Sequence, residues 1–371
     1  MGGLARSRPG VPGSILKFMR DADFRPWSGD AAAGPPDPVP PAASTDSPVT
    51  AGRSGPAAPG LDERIARLRT LLAAIERAVV CFSGGVDSGY LLAEAAGVLG
   101  DRATALTAVS PSLAPEERAG AEDLARDLGV RHVLVETHEL DDARYASNPV
   151  NRCYFCKVEV YSVAVAEAAR LGAAHVLDGF NVDDRGDHRP GRRAAREQGV
   201  RSPLDEAGFG KADIREAAKR IGLPVWDKPA LACLSSRFPY GTGITPERLA
   251  RVAAGERALR ELGFRVCRVR FHGATARIEV EPHEIPRLRS AAVRAEVVRR
   301  FRDAGFTRVT VDPRGYRQGS LNEALSEAGP EPPARPLAGA DEPPGAGREV
   351  VEARRAPDGS NSRWARRAPP S

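Results

Sequence analysis

The chain has 371 residues, 42% of them hydrophobic and 28% charged, with a formal net charge of +5 at pH 7. Its basic residues are scattered, with no run of five, so an arginine-rich composition accounts for the charge better than a nucleic-acid-binding stripe does. No stretch of about eighteen apolar residues occurs, so neither a spanning helix nor a secretory leader is expected, and an odd set of five cysteines fits a reducing cytoplasm.

Residues 1–60 are crowded with Pro, Gly, Ala and Ser, as in Gly34-Pro35-Pro36-Asp37-Pro38. They carry too little apolar surface to offset chain entropy and are expected to form a disordered extension. From Leu61 the pattern changes: Ile65, Leu68, Leu71, Leu72 and Ile75 fall on one helical face of a segment running to Ala78. Val79–Phe82 reads as a buried strand, followed by a turn and a helix over residues 88–99. Further strands are expected at 103–109, 130–135 and 174–179, with helices over 115–128 and 158–171. Strands alternating with helices predict an α/β fold with a doubly wound parallel sheet, its ligand crevice at the carboxyl ends of the strands. This domain is expected over 61–242. Thr245-Pro246-Glu247 opens a second region with a helix to 262, strands at 264–270 and 276–280, a helix over 285–304 and a strand at 307–311. That pattern predicts a small C-terminal α+β domain over 243–326, a substrate or assembly unit. Residues 327–371 return to Pro, Gly, Glu and Arg and are expected to form a second disordered tail.

The junction after the first strand is the most informative stretch, Ser83-Gly84-Gly85-Val86-Asp87-Ser88 between an apolar run and a helix. Gly84 and Gly85 let the backbone turn sharply and approach a phosphate closely. The first turn of the helix aims unpaired N–H groups and the positive dipole end at the same spot. Ser83 and Ser88 add hydroxyls, and Asp87 can hold Mg²⁺ or fix the loop. A Gly-Gly turn serving only packing is the bland alternative, and it would not require all six positions. The Lys-Ser/Thr ending of a Walker loop is absent. The hexapeptide resembles the pyrophosphate loop of the ATP-pyrophosphatase family. That resemblance implies an adenine nucleotide alpha hydrolase-like sheet, ATP as substrate with Mg²⁺, and cleavage between the α and β phosphates to adenylate an acceptor. Asp183 and Asp184, after the fourth strand, face the same crevice either as turn residues or as ligands of a metal or the nucleotide.

Arg152-Cys153-Tyr154-Phe155-Cys156-Lys157 sets a Cys-X-X-Cys pair beside two cations in what reads as a loop, and Cys233 follows in Pro229-Ala230-Leu231-Ala232-Cys233-Leu234-Ser235-Ser236-Arg237. Neighbouring positive charge favours thiolate. A redox pair, a zinc site lacking a fourth ligand of usual spacing, a three-thiolate iron–sulfur site with one open iron, and a structural role all remain open. Cys81 and Cys267 lie in apolar strand patterns and are expected to pack the core. His272 and His283 have no partner spacing and are read as structural.

Taken with Ser83–Ser88, the segments Asn148-Pro149-Val150-Asn151-Arg152-Cys153-Tyr154-Phe155-Cys156-Lys157, Asp178-Gly179-Phe180-Asn181-Val182-Asp183-Asp184, Arg201-Ser202-Pro203-Leu204, Trp226-Asp227-Lys228-Pro229-Ala230-Leu231-Ala232-Cys233-Leu234-Ser235-Ser236-Arg237, Arg268-Val269-Arg270-Phe271-His272 and Gly315-Tyr316-Arg317-Gln318-Gly319-Ser320-Leu321-Asn322 resemble the LarE family of ATP-dependent sulfur transferases over residues 61–325. The resemblance implies adenylation of the carboxylates of a pyridinium-3,5-biscarboxylic acid mononucleotide and their conversion to thiocarboxylates, a step in nickel-pincer nucleotide cofactor synthesis. It implies that the sulfur comes either from Cys233, sacrificed to dehydroalanine, or from a [4Fe–4S] cluster held by Cys153, Cys156 and Cys233; the presence of both Cys153 and Cys156 favours the cluster. Ser236, Arg237, Arg268 and Arg270 match family positions near the substrate phosphate, with solvated surface arginines as the alternative. A homo-oligomer and a nickel-insertion enzyme as pathway partner are further expectations. The rival is a tRNA thiolation enzyme, which pairs the same loop with a similar cysteine set; against it stand the lack of an RNA-binding domain and of a basic, aromatic face.

Overall fold

The computed structural model describes residues 59–185, 190–229, 232–323 and 350–352. Helix α1 (Leu61–Ala73) buries Leu68 and Leu72 and leads into β1 (Ala78–Cys81), whose first three residues are fully covered. The chain then alternates through α2 (Val86–Leu99), β2 (Ala103–Val109), α3 (Pro115–Asp127), β3 (Arg131–Glu136), the single turn α4 (Ala143–Ala146), α5 (Arg152–Arg170) and β4 (His175–Leu177). Strands β1 to β4 are parallel in the order β4-β1-β2-β3. Since β1 runs on to β2 on one side while β4 lies on its other side, the topological switch point falls between β1 and β4, where a parallel sheet opens a crevice at its carboxyl edge.

The expected α/β architecture is therefore present, with local departures. Helix α5 begins at Arg152 rather than near 158, so the Cys-X-X-Cys pair occupies the first turns of a helix and not a loop. Three helices after β4 escaped the periodicity reading: α6 (Pro190–Glu197), α7 (Pro203–Ala207) and α8 (Lys211–Ile221). The first two are short and punctuated by Pro and Gly, which blurs a 3.6-residue pattern. Val350–Glu352, within the stretch expected to form a disordered tail, forms β8, antiparallel to the edge of β3; the rest of that tail lies outside the described residues. Residues 1–58, most of the proposed N-terminal extension, lie outside the described residues.

The second region comprises α9 (Pro246–Glu261), β5 (Cys267–His272), β6 (Thr275–Val280), α10 (Ile285–Arg289), α11 (Ala291–Asp303) and β7 (Arg308–Val311). Thr245 caps α9 through its hydroxyl, as the Thr-Pro-Glu signal implies. Its sheet, β5-β6-β7, packs Val269, Phe271 and Ile278 against Leu249, Leu259 and Phe301. Each such side chain contributes about 1.5–3 kcal/mol by leaving water. This core also takes in Tyr145, Leu234 and Phe238, with Phe155 and Cys156 packed against it. The helix bearing the cysteine pair thus straddles the joint between the two sheets.

Beneath the exit of β1 lies a buried polar chain. Thr107 Oγ1 donates to the Phe82 carbonyl at 2.6 Å and stands 2.8 Å from His132 Nε2. The threonine has one proton, so Nε2 donates, and Nδ1, buried without a partner, favours the neutral imidazole. Burial pushes the His132 pKa down to about 4 from 6.5. Only the unfolded chain then takes up a proton as pH falls from 6.5 towards 4, so stability is complete above that window and declines by about 3 kcal/mol across it. Urea unfolding at stepped pH will show a shallower decline in His132→Gln; burial also lowers the pKa of His272, so some slope remains.

Candidate active site

The chain leaves β1 into the Ser-Gly-Gly turn at the switch point. Gly84 has φ +72°, a left-handed conformation, and a Cβ there would stand 3.1 Å from the Ala121 Cβ of α3. Both facts require glycine. Gly85 precedes α2 without any side-chain cap, so the first N–H groups of a 14-residue helix face the turn. Ser83 donates its N–H to Ser88 Oγ at 3.3 Å, and the two hydroxyls stand 3.1 Å apart, closing the loop on itself. Asp87 accepts from Asn181 Nδ2 at 3.3 Å, which links it to the loop after β4.

That loop presses hard on the nucleotide turn. A Cβ on Gly179 would lie 2.9 Å from the Ser88 nitrogen and 3.1 Å from its Cα, backbone atoms that cannot yield cheaply. Gly179→Ala is therefore expected to displace the first turn of α2 and weaken ATP binding about tenfold or more, a loss of about 1.4 kcal/mol or greater, measurable by calorimetric titration with a non-hydrolysable ATP analogue. Asp183 and Asp184 lie in a 3₁₀ turn, Val182–Asp184, after β4. Asp183 accepts from the Lys211 N–H at 2.7 Å; Asp184 accepts from the Asn181 N–H at 3.3 Å and pairs with Lys211 Nζ at 3.0 Å.

The segment carrying Cys233 crosses the same edge of the sheet. Lys228 Nζ donates to the Gly84 carbonyl at 3.0 Å and to Glu117 at 2.8 Å. The Leu234 N–H donates to the Ser112 carbonyl, just past β2, at 2.9 Å. Ser112 and Ser110 in turn donate to Glu139, which is 3% exposed, at 2.9 and 2.6 Å. Cys233 is exposed and opens a 3₁₀ turn, Leu234–Arg237. An open cleft of about 320 Å³ runs between the loop after β2 and α9, with Leu234 on its wall.

Cys153 and Cys156 lie in the first turns of α5, which is tied to this turn through Arg152. Arg152, 3% exposed, donates to the Ser235 carbonyl at 2.8 Å and to Asn148 Oδ1. Asn148 is fully buried at φ +58° and donates to the Pro239 and Thr242 carbonyls at 2.7 and 3.1 Å. A non-glycine residue in that conformation is uncommon and here serves as the strut between α5 and the loop after the thiol turn. Tyr145 stands 2.7 Å from Ser235 Oγ, and its hydroxyl pKa is raised by burial first, then by the charges of Cys233 and Cys156.

No family model matches the chain. It is 41% identical to the pyridinium-3,5-bisthiocarboxylic acid mononucleotide synthase of Lactiplantibacillus plantarum over 70% of its own length and 95% of that protein. The chain belongs to the LarE family. It is also 45% identical to an uncharacterized protein of Synechocystis, over 72% of this chain and all of that one. A tRNA-specific 2-thiouridylase of Xanthobacter autotrophicus is 31% identical over 41% of this chain and 49% of its own. As a LarE member the chain is an ATP-dependent sulfur-transferring enzyme.

In this LarE protein the arginines expected near a phosphate already have partners. Arg237 and Arg270 are 2% and 8% exposed, paired with Glu256 at 2.7 Å and Glu279 at 2.8 Å. Arg270 also donates to the Ser236 carbonyl at 2.8 Å and Ser320 Oγ at 2.7 Å. Arg268, 4% exposed, stacks 5.0 Å from the Tyr316 ring centroid. None is the solvated surface arginine of the bland reading. They line one face beside the thiol turn, joined to it through Ser236.

Cys156 is influenced by both Cys233 and Cys153, yet among the described residues no group of three or more His, Cys, Asp or Glu could hold a metal ion. Nor do the neighbouring cations free the Cys156 thiol. Burial, with Cys156 turned towards the second core, raises its pKa more than Lys157 lowers it. Burial likewise pushes Cys81 and Cys267 up to about 12, as core packing requires. Among the described residues no helix is long and apolar enough to cross a membrane.

Asn148, Arg152 and Lys228 lie inside the motif segments, Arg152 read there as a cation beside the thiols, but the sequence assigns none of them the contacts described above. Glu139 lies outside every motif, because its role comes from contacts with residues distant in sequence.

Proposed function

We propose that this enzyme adenylates the carboxylates of pyridinium-3,5-biscarboxylic acid mononucleotide and converts them to thiocarboxylates, with Cys233 as the thiol that meets the adenylate. The observation that carries the reading is the bond from Lys228 to Gly84, five residues before Cys233, together with the Leu234–Ser112 bond. They set the thiol turn across the carboxyl edge that bears the nucleotide loop.

The chemistry follows from this layout. A carboxylate is a poor electrophile; attack of its oxygen on the α phosphorus of ATP expels pyrophosphate and leaves AMP as a good leaving group. The N–H groups of Gly85 and the first turn of α2, with the Ser83 and Ser88 hydroxyls, hold the phosphates, and Lys228 stands where negative charge develops on the leaving pyrophosphate. Mg²⁺, for which Asp87 is the loop's one carboxylate, supplies further charge neutralisation when bound. The Cys233 sulfur then attacks the acyl carbon and AMP departs. Loss of the Cys233 Cα proton to a base and cleavage of its Cβ–S bond release the thiocarboxylate and leave dehydroalanine. The substrate phosphate is assigned to the face of Ser236, Arg237, Arg268 and Arg270.

A second reading concerns the sulfur source. Cys153, Cys156 and Cys233 supply three thiols that, were they to hold a [4Fe–4S] cluster, would leave one iron open for a transferable sulfide. The donor types suit such a cluster, although among the described residues no group of three such side chains is placed to hold a metal.

Incubating the protein with ATP, Mg²⁺ and the biscarboxylate mononucleotide, then resolving products by mass, tests the main proposal. AMP, pyrophosphate and mono- and bisthiocarboxylates are expected. Pyrophosphate release stimulated by tRNA, with thiolated nucleoside and no thiocarboxylate, would transfer the assignment to the tRNA-acting reading.

A further inference from the structure

We infer that Arg237 is a positioning residue for the sulfur donor, holding the Cys233 peptide. The inference deepens the proposed function and rests on Cys233 being the thiol that meets the adenylate.

The geometry is specific. Arg237 Nε and Nη2 grip the two oxygens of Glu256 at 2.7 and 3.1 Å. Its Nη1 reaches the Ala232 carbonyl at 2.8 Å, the Cys233 carbonyl at 3.2 Å and Ser236 Oγ at 2.7 Å. Ser236 completes the arrangement: its N–H and its hydroxyl donate to the same Cys233 carbonyl at 3.0 and 2.8 Å. Three donors thus converge on an oxygen that ordinarily accepts about two hydrogen bonds. A guanidinium has about five N–H donors in a rigid fork, and Arg237 spends most of them on Glu256 and this turn. Little remains for a phosphate.

The clamped carbonyl belongs to the residue whose sulfur must reach an acyl carbon. Once the peptide is fixed, the thiol's position depends on a single staggered torsion, so fixing the carbonyl sets the reach of the sulfur. Lysine offers no fork and could not bind Glu256 and the turn together.

Arg270 supports the same turn from the second sheet: it donates to the Ser236 carbonyl at 2.8 Å while its other donors go to Glu279 and Ser320 Oγ.

The test compares Arg237→Lys, Arg237→Gln and Ser236→Ala in the full chain with three readouts. These are the alkylation rate of Cys233 before substrate is added, the fraction of adenylate converted to thiocarboxylate in a single turnover, and the preference for the phosphorylated substrate over its dephosphorylated nucleoside. For the Arg237 variants we expect a changed alkylation rate and a conversion rate lower by about a hundredfold, with the phosphate preference retained within about twofold. Ser236→Ala, which leaves the buried ion pair intact, shifts alkylation and conversion in the same direction by a smaller factor and keeps the result interpretable if the Arg237 variants unfold. Loss of the phosphate preference with unchanged alkylation would make Arg237 a phosphate ligand and overturn the inference. So would unaltered alkylation and conversion in Ser236→Ala and Arg237→Lys. Failure of the underlying function looks different: the wild type itself would then make no thiocarboxylate.

Discussion

Cys233→Ser will still release pyrophosphate from ATP when the biscarboxylate is supplied, and will form thiocarboxylate at least about a thousandfold more slowly than the wild type. Serine keeps the size and leaves the turn intact, because the bonds that hold it use the backbone of residue 233 and not its side chain. What is lost is the sulfur. The adenylate should then accumulate or hydrolyse, and a coupled pyrophosphate assay run beside product mass spectrometry separates the two steps. The mass of the wild-type polypeptide after turnover decides the sulfur source. Loss of the mass of H₂S from the Cys233 peptide identifies the sacrificed side chain; an unchanged peptide together with iron and labile sulfide in anaerobically purified protein identifies the cluster. Near-normal thiocarboxylate formation by the serine variant would remove Cys233 from the chemistry altogether.

The residues most legible in the sequence were those whose meaning is local. The Ser83–Ser88 turn could be read because a strand, two glycines and a helix start are adjacent in the chain, and the fold places them as expected. The first four strands followed from apolar runs, which parallel strands covered on both faces must show. Helix α5 was misjudged at its start because Arg152, Cys153 and Lys157 interrupt the apolar pattern; burial of Arg152 against Asn148 and Ser235 lets the helix begin there. The arginines were recognised as a set, but that Arg237 and Arg270 sit inside the protein on glutamates 19 and 9 residues further along is a tertiary fact. Composition does not distinguish a buried arginine from a solvated one.

Glu256→Gln is expected to destabilise the protein by about 3–5 kcal/mol, the cost of leaving a buried charge without its partner. Glu256 is 1% exposed and accepts from Arg237 twice and from the Val269 N–H at 3.1 Å, with Arg260 at 3.5 Å. Glutamine's one carbonyl oxygen can still accept from Arg237 Nε and the Val269 N–H but supplies no charge, so Arg237, 2% exposed, would lose its buried counter-charge. Burial works against the Glu256 carboxylate, and Arg237, by charge and hydrogen bond, more than offsets it, holding the pKa below the ordinary 4.5. The stabilisation from Glu256 is therefore complete above pH 4.5 and is lost as pH falls through the lower folded value, an acid limb that the glutamine variant should lack. Guanidinium unfolding at neutral and acid pH measures both effects. Because Arg237 also grips the Cys233 turn, the same variant should loosen the thiol under conditions where the fold survives. Cys233 alkylation in folded Glu256→Gln at the wild-type rate would mean that the carboxylate supports the second sheet alone and that the thiol turn keeps its shape without it.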